Sequence, residues 1–75
     1  MKFRIQVVDH SKPEVMAGCP AVTIHESDSL LGARMIAEGI AKDRGNAITV
    51  WDYFAGSPMG RNIAGEPVAL IEKMQ

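Results

Sequence analysis

From residue 2 onward, apolar and polar side chains alternate: Phe3, Ile5 and Val7 interleave with Lys2, Arg4 and Gln6. A period of two is the mark of a half-buried strand, so a first strand is expected over 2–8. The following segment, 9–20, holds Pro13, Pro20 and Gly18 and sustains no period, which predicts a long connection with room for a helical turn. In 21–26 alternation returns, with Val22 and Ile24 on one side and Thr23 and His25 on the other. This is the second expected strand, its Val22 and Ile24 turned to the core.

The period then changes to that of a helix. Ser27 or Asp28 can supply the N-cap, acidic charge is expected in the first turn, and the segment 30–44 stops at Gly45, a residue type suited to the left-handed position beyond a helix end. Leu30, Ala33, Ile36, Ala37, Ile40 and Ala41 form one stripe, small enough in its alanines to lie close on a sheet. Leu31 and Met35 project the other way, beside Gly32 and Gly39. A glycine inside a helix costs about 1 kcal/mol relative to alanine. Either these positions are merely tolerated on the surface, or Leu31, Gly32, Met35 and Gly39 form a helix interface where a partner packs closely.

A third strand is expected over 47–54, a glycine- and proline-rich loop over 55–67, and a fourth strand over 68–74. The order ββαββ predicts one α+β domain over 1–75, with a four-stranded antiparallel sheet in the order 2-1-3-4 and the helix across one face. One helix cannot cover both faces. What stands on the open face becomes the functional question.

The third strand carries the only Trp and the only Tyr of the chain. Alternation puts Ile48, Val50, Asp52 and Phe54 on one face and Trp51 and Tyr53 on the other. Asp52 contests the core assignment of the first set; either it lies past the helix or a bulge near it moves Phe54 across. Trp51 and Tyr53 are thereby expected on the open face with Lys2 and Arg4, and with Met59 and Arg61 of the long loop at the rim. Rings interleaved with cations suit a protein partner or a second copy, and equally stack bases while holding phosphates. Intramolecular cover by the 9–20 or 55–67 loop is the third possibility.

Composition narrows the choice. At 75 residues the core is small and oligomerisation is a ready means of enlarging it. The net charge of -1 argues against a globally basic nucleic-acid binder, leaving single-stranded nucleic acid as the second reading after a protein partner. One cysteine forbids an internal disulfide, no apolar run approaches a membrane span, and the alternating start is unlike a signal peptide, so a cytoplasmic protein is expected.

Catalytic signals are absent in the spacing. Cys19, His10, His25 and Asp9 are the residue types of thiol or zinc chemistry, but no Cys-x-x-Cys or His-x-x-x-His pair organises them, so neither metal nor cofactor is expected. The stretch 60-GRNIAGEP-67 has the glycine spacing of a phosphate-binding loop, yet Glu66 and Pro67 stand where Lys and Ser or Thr belong, and it precedes a strand.

In length, in the order strand, strand, helix, strand, strand, and in the segments 28–51 and 68–74, the chain resembles small phage-encoded or mobile-element proteins, among them some anti-CRISPR proteins. That resemblance implies a non-enzymatic inhibitor that binds a bacterial nucleoprotein machine through its sheet face or helix. The expectation carried forward is a binding module without catalysis.

Overall fold

The computed structural model describes residues 1–74. It is an α+β fold with one helix on one face of an antiparallel sheet, as the patterning predicts, but the sheet has five strands in place of four. The elements are β1 (Lys2–Val8), β2 (Val22–Ser27), α1 (Leu30–Asp43), β3 (Val50–Phe54), β4 (Ser57–Arg61) and β5 (Pro67–Met74). The sheet order is β2-β1-β5-β4-β3, so β1 pairs with the final strand and not with the aromatic one.

The added strand explains the changed order. Ala55 and Gly56 both take positive φ, 51° and 84°, which is the backbone of a two-residue hairpin turn and brings 57–61 back alongside β3. The chain then turns at Asn62, whose side-chain oxygen accepts from the Ala64 and Glu66 amides, and β5 pairs with β4 on one side and β1 on the other. Pro58 and Gly60 hid this strand, since both are poor strand formers. Pro58 is tolerated because it stands opposite Tyr53 and has no register partner in β5.

The helix is capped by Ser29, one residue after Asp28 and two after Ser27, the expected caps, with its hydroxyl accepting from the Gly32 amide at 3.0 Å and, against expectation, no acidic residue in the first turn. It ends in a Schellman arrangement: Asn46 N–H donates to the Ala41 carbonyl and Gly45 N–H to that of Lys42, with Gly45 at φ 72°. Arg44 ties this end to β1 by donating to the Val7 and Val8 carbonyls.

Ala33, Ala37 and Ala41 are buried and bring the helix down onto Ile5, Val7, Ala69 and Ile71, with Phe3, Ile36, Ile40, Ile48 and Trp51 packed around them. Leu30, expected in this stripe, lies at its margin and is exposed. The alanine stripe sets a short distance between layers, so the core is thin and one-sided.

Candidate functional site

The open face is assembled by register. On β1 it presents Lys2, Arg4, Gln6 and Val8; on β5, the partners Leu70, Glu72 and Met74; on β2, Val22, Ile24 and Glu26. The expected orientation of β2 is thus reversed: Thr23 and His25 stand opposite the core residues Val7 and Ile5, and Val22 and Ile24 are exposed on the open face. Thr23 and His25 satisfy each other there, Oγ1 to Nε2 at 3.0 Å, and the Thr23 hydroxyl also donates to the Val7 carbonyl. Two polar side chains can therefore occupy the covered side of an edge strand.

The aromatic strand is reversed as well. Trp51 pairs with Gly60, which stands opposite core residue Ala69, so Trp51 and Tyr53 share the face that carries the helix, and Trp51 packs on the core cluster. The cause is local. Thr49 N–H donates to the Arg61 carbonyl while Val50 is the register partner of Arg61, so two residues oppose one, the arrangement of a bulge. Ile48 and Trp51, three apart, then fall on the same side, and Val50, Asp52 and Phe54 move to the open face. A bulge does shift this strand, but upstream of Asp52 and in the sense that carries the Trp inward.

Gly60 makes room for that arrangement. A Cβ there would stand 2.7 Å from Ile48 Cδ1 and 3.0 Å from its Cγ atoms, so Ile48 covers the bare backbone of β4. Beside it, the Trp51 indole N–H donates to Glu38 Oε2 at 2.9 Å and the Arg34 guanidinium lies 5.3 Å from the ring centroid. Arg34 Nε is buried and has no hydrogen-bond partner among the described residues.

Trp51 and Tyr53 are consequently separated by the sheet from Lys2 and Arg4, and the cation over Trp51 is Arg34 of the helix. Lys2 and Arg4 stand on the open face, and both are paired: Lys2 Nζ with Glu26 at 3.5 Å, Arg4 with Glu72 at 2.9 Å, the latter carboxylate also accepting from Gln6 at 2.6 Å. Arg61 is held by Asp52 at 3.6 Å and donates to the Gly65 carbonyl at 2.8 Å. The expected grouping of Lys2, Arg4, Trp51, Tyr53, Met59 and Arg61 on one surface does not form. Lys2, Arg4, Met59 and Arg61 are together; Trp51 and Tyr53 are not with them.

What the open face offers instead is an apolar trough. Gln6, Val8, Val22, Met59, Val68, Leu70 and Phe54 line a depression of about 410 Å³, with Arg61 at one wall. Val22 is 40% exposed, Ile24 56% and Phe54 62%. Neither loop covers it: residues 10–20 are exposed throughout, and 57–61, part of the expected cover, is a strand of the sheet itself. Val22, Ile24, Leu70 and Phe54 were missed as candidates because the alternation fixes which residues share a side but not which side meets the helix.

The helix candidates divide in a similar way. Leu31 and Met35 are exposed on the outer face as expected. Gly32 has an internal reason, since a Cβ would stand 2.6 Å from Ser27 Oγ and 2.9 Å from Ser29 Oγ, against the cap itself. Gly39 is exposed and a Cβ there would meet nothing within 4 Å.

At the opposite end of β1, Asp9 is buried beside Arg44, 3.7 Å from its guanidinium, and accepts from both the amide and the hydroxyl of Ser11. Its carboxyl is held below the ordinary Asp range, first by the Ser11 hydroxyl, with burial acting the other way and the Ser11 amide, Arg44 and Lys12 adding to the lowering. His10 shares a hydrogen bond with Asn46, and Cys19 is exposed on the connecting loop, so these residues have separate structural surroundings. No helix among the described residues is long and apolar enough to cross a membrane. No family model, curated protein or solved structure matches the chain.

Proposed function

We propose that the chain is a non-enzymatic protein-binding module whose docking surface is the open face of the sheet, centred on the trough of Val8, Val22, Met59, Leu70 and Phe54. The observation that carries this reading is a concave apolar surface with Met59 and Val68 buried at its floor, Val22 and Phe54 exposed at its sides, and the Asp52-paired Arg61 at one wall. Apolar area of this kind is favourable to remove from water by roughly 25 cal/mol per Å² and is typical of interaction sites. An inhibitor of a bacterial nucleoprotein machine, the role implied by the resemblance in size and element order, would on this reading act by occupying a protein surface.

Single-stranded nucleic acid is the weaker reading. It needs exposed rings beside unpaired cations, and here Trp51 is half-buried on the helix face under Arg34, while Lys2 and Arg4 stand across the sheet paired with carboxylates.

Affinity capture from a bacterial lysate tests the proposal with three baits: the natural chain, Leu70→Asp in the trough, and Met35→Asp on the helix. A protein retained by the first and third and lost from the second is the expected result. Capture that survives Leu70→Asp and fails with Met35→Asp transfers the docking surface to the helix.

A further inference from the structure

The two edges of the sheet are not equivalent. In β3 the turn at Ala55 and Gly56 makes Phe54 and Ser57 a hydrogen-bonded pair, so Asp52 and Val50 also bond inward and the peptide groups of Trp51 and Tyr53 point away from the sheet. The Tyr53 N–H is already taken, by Asp52 Oδ1 at 2.8 Å. A second β3 laid antiparallel across this edge and centred on Asp52 would also set that carboxylate against its own copy. A charge and a side-chain cap of this kind protect an edge from pairing.

The centre of β2 has neither device: its one carboxylate, Glu26, stands near the end of the strand and is paired with Lys2. Asp9 N–H donates to the Ala21 carbonyl, which fixes 9 and 21 as a hydrogen-bonded pair; by alternation Thr23, His25 and Ser27 bond inward to β1, and Val22, Ile24 and Glu26 direct their N–H and C=O groups outward. None of these three amides has a side-chain acceptor among the described residues. The strand carries no proline or glycine and has no bulge in its pairing with β1.

We infer that β2 is the edge on which a second copy of this chain pairs, antiparallel across a two-fold axis at Ile24. In that register Ile24 meets Ile24 of the copy, Val22 meets Glu26, and Thr23 meets His25. All three outward residues of each strand fall on hydrogen-bonded positions, giving six bonds between the chains. No like charges stand opposite, and Glu26 keeps its Lys2 partner on the open face.

The geometry leaves room for both helices. With strands about 4.8 Å apart, a helix over β1 stands about 7 Å from the axis, so two helices lie about 14 Å apart and do not collide. Ile24, exposed in one chain, meets Ile24 of the copy while Val22 lies against Glu26, and the two open-face troughs join into one ten-stranded surface. The inference concerns the edge of the sheet and stands apart from what occupies the trough.

Sedimentation from micromolar to millimolar concentration, with amide exchange read residue by residue, tests this. The natural chain is expected to form a dimer in which the Val22, Ile24 and Glu26 amides become protected with rising concentration while the Trp51 amide stays unprotected. Ile24→Pro removes only an outward N–H and should raise the dimer dissociation constant about tenfold or more. Ile24→Lys, which places two ammonium groups on the axis at a position exposed in the monomer, should do the same. A chain that sediments as a monomer throughout overturns the inference. So does a dimer that both variants form as readily as the natural chain.

Discussion

The indole N–H of Trp51 reaches Oε2 of Glu38 across 2.9 Å, a bond between the edge hairpin and the helix. It turns the most conspicuous aromatic residue of the chain into a brace between the edge hairpin and α1. The ring also rests on the core cluster and carries Arg34 above it.

Replacing Trp51 by Ala should therefore act on stability. Loss of a half-buried ring predicts a destabilisation of about 2 kcal/mol, and Trp51→Phe, which keeps most of the packing and loses the partly exposed bond, about 1 kcal/mol or less. Urea unfolding followed by far-ultraviolet dichroism measures both. A Trp51→Ala variant as stable as the natural chain would show that the ring braces nothing.

Ile48 and Gly60 form a second brace, with the isoleucine lying over backbone that has no side chain of its own. Gly60→Ala should destabilise the fold by about 1 to 3 kcal/mol through overpacking. Shortening the opposing side chain should recover part of the loss, so a double-mutant cycle of Gly60→Ala with Ile48→Val is expected to give a favourable coupling. Strict additivity would separate the two positions.

The two glycines of the helix should respond with opposite signs. At Gly39 a methyl group meets nothing, and Gly39→Ala is expected to stabilise the helix by about 0.5 to 1 kcal/mol. Gly32→Ala drives a Cβ into Ser27 and Ser29 and disturbs the cap, with an expected cost of about 1 kcal/mol. Thermal unfolding midpoints of the two variants are the check.

Acid should find Asp9. Its folded-state pKa lies below the ordinary value, mainly through the Ser11 hydroxyl. The stability this carboxylate contributes is complete above the unfolded-state value of about 3.9 and disappears as pH falls through the lowered folded-state value. In urea titrations across pH, Asp9→Asn should lower the unfolding midpoint at neutral pH and flatten the decline below about pH 4. An acid limb identical to that of the natural chain would remove Asp9 from the account.

The helix and the three long strands are legible in the sequence because Phe3, Ile5 and Val7, the β2 alternation and the alanines of the helix repeat with clean spacing, and 68–71 is an unbroken apolar run after a proline-bounded loop. The fifth strand was not, since 57-SPMGR-61 becomes a strand only through the turn before it and the Ile48 side chain that covers Gly60. The faces of β2 and β3 were misread for a different reason. In an edge strand both sides are partly wet, so Thr23 and His25 can bond to each other on the covered side while Val22 and Ile24 stay bare, and one extra residue at Thr49 reverses all that follows. Lys2, Arg4 and Arg61 share the open face, but Met59, expected at its rim on a loop, is a buried strand residue in the trough, whose apolar centre becomes visible only with the register of β5.

The central claim, that the open sheet face is where another protein docks, is tested most directly by photo-crosslinking in bacterial cells from two exposed positions. Phe54 replaced by benzoylphenylalanine places the reactive ketone at the trough, and Leu31 replaced in the same way places it on the outer helix. A covalent adduct with a second protein from position 54 and none from position 31 is the predicted result. An adduct from position 31 alone, or none from position 54, contradicts it.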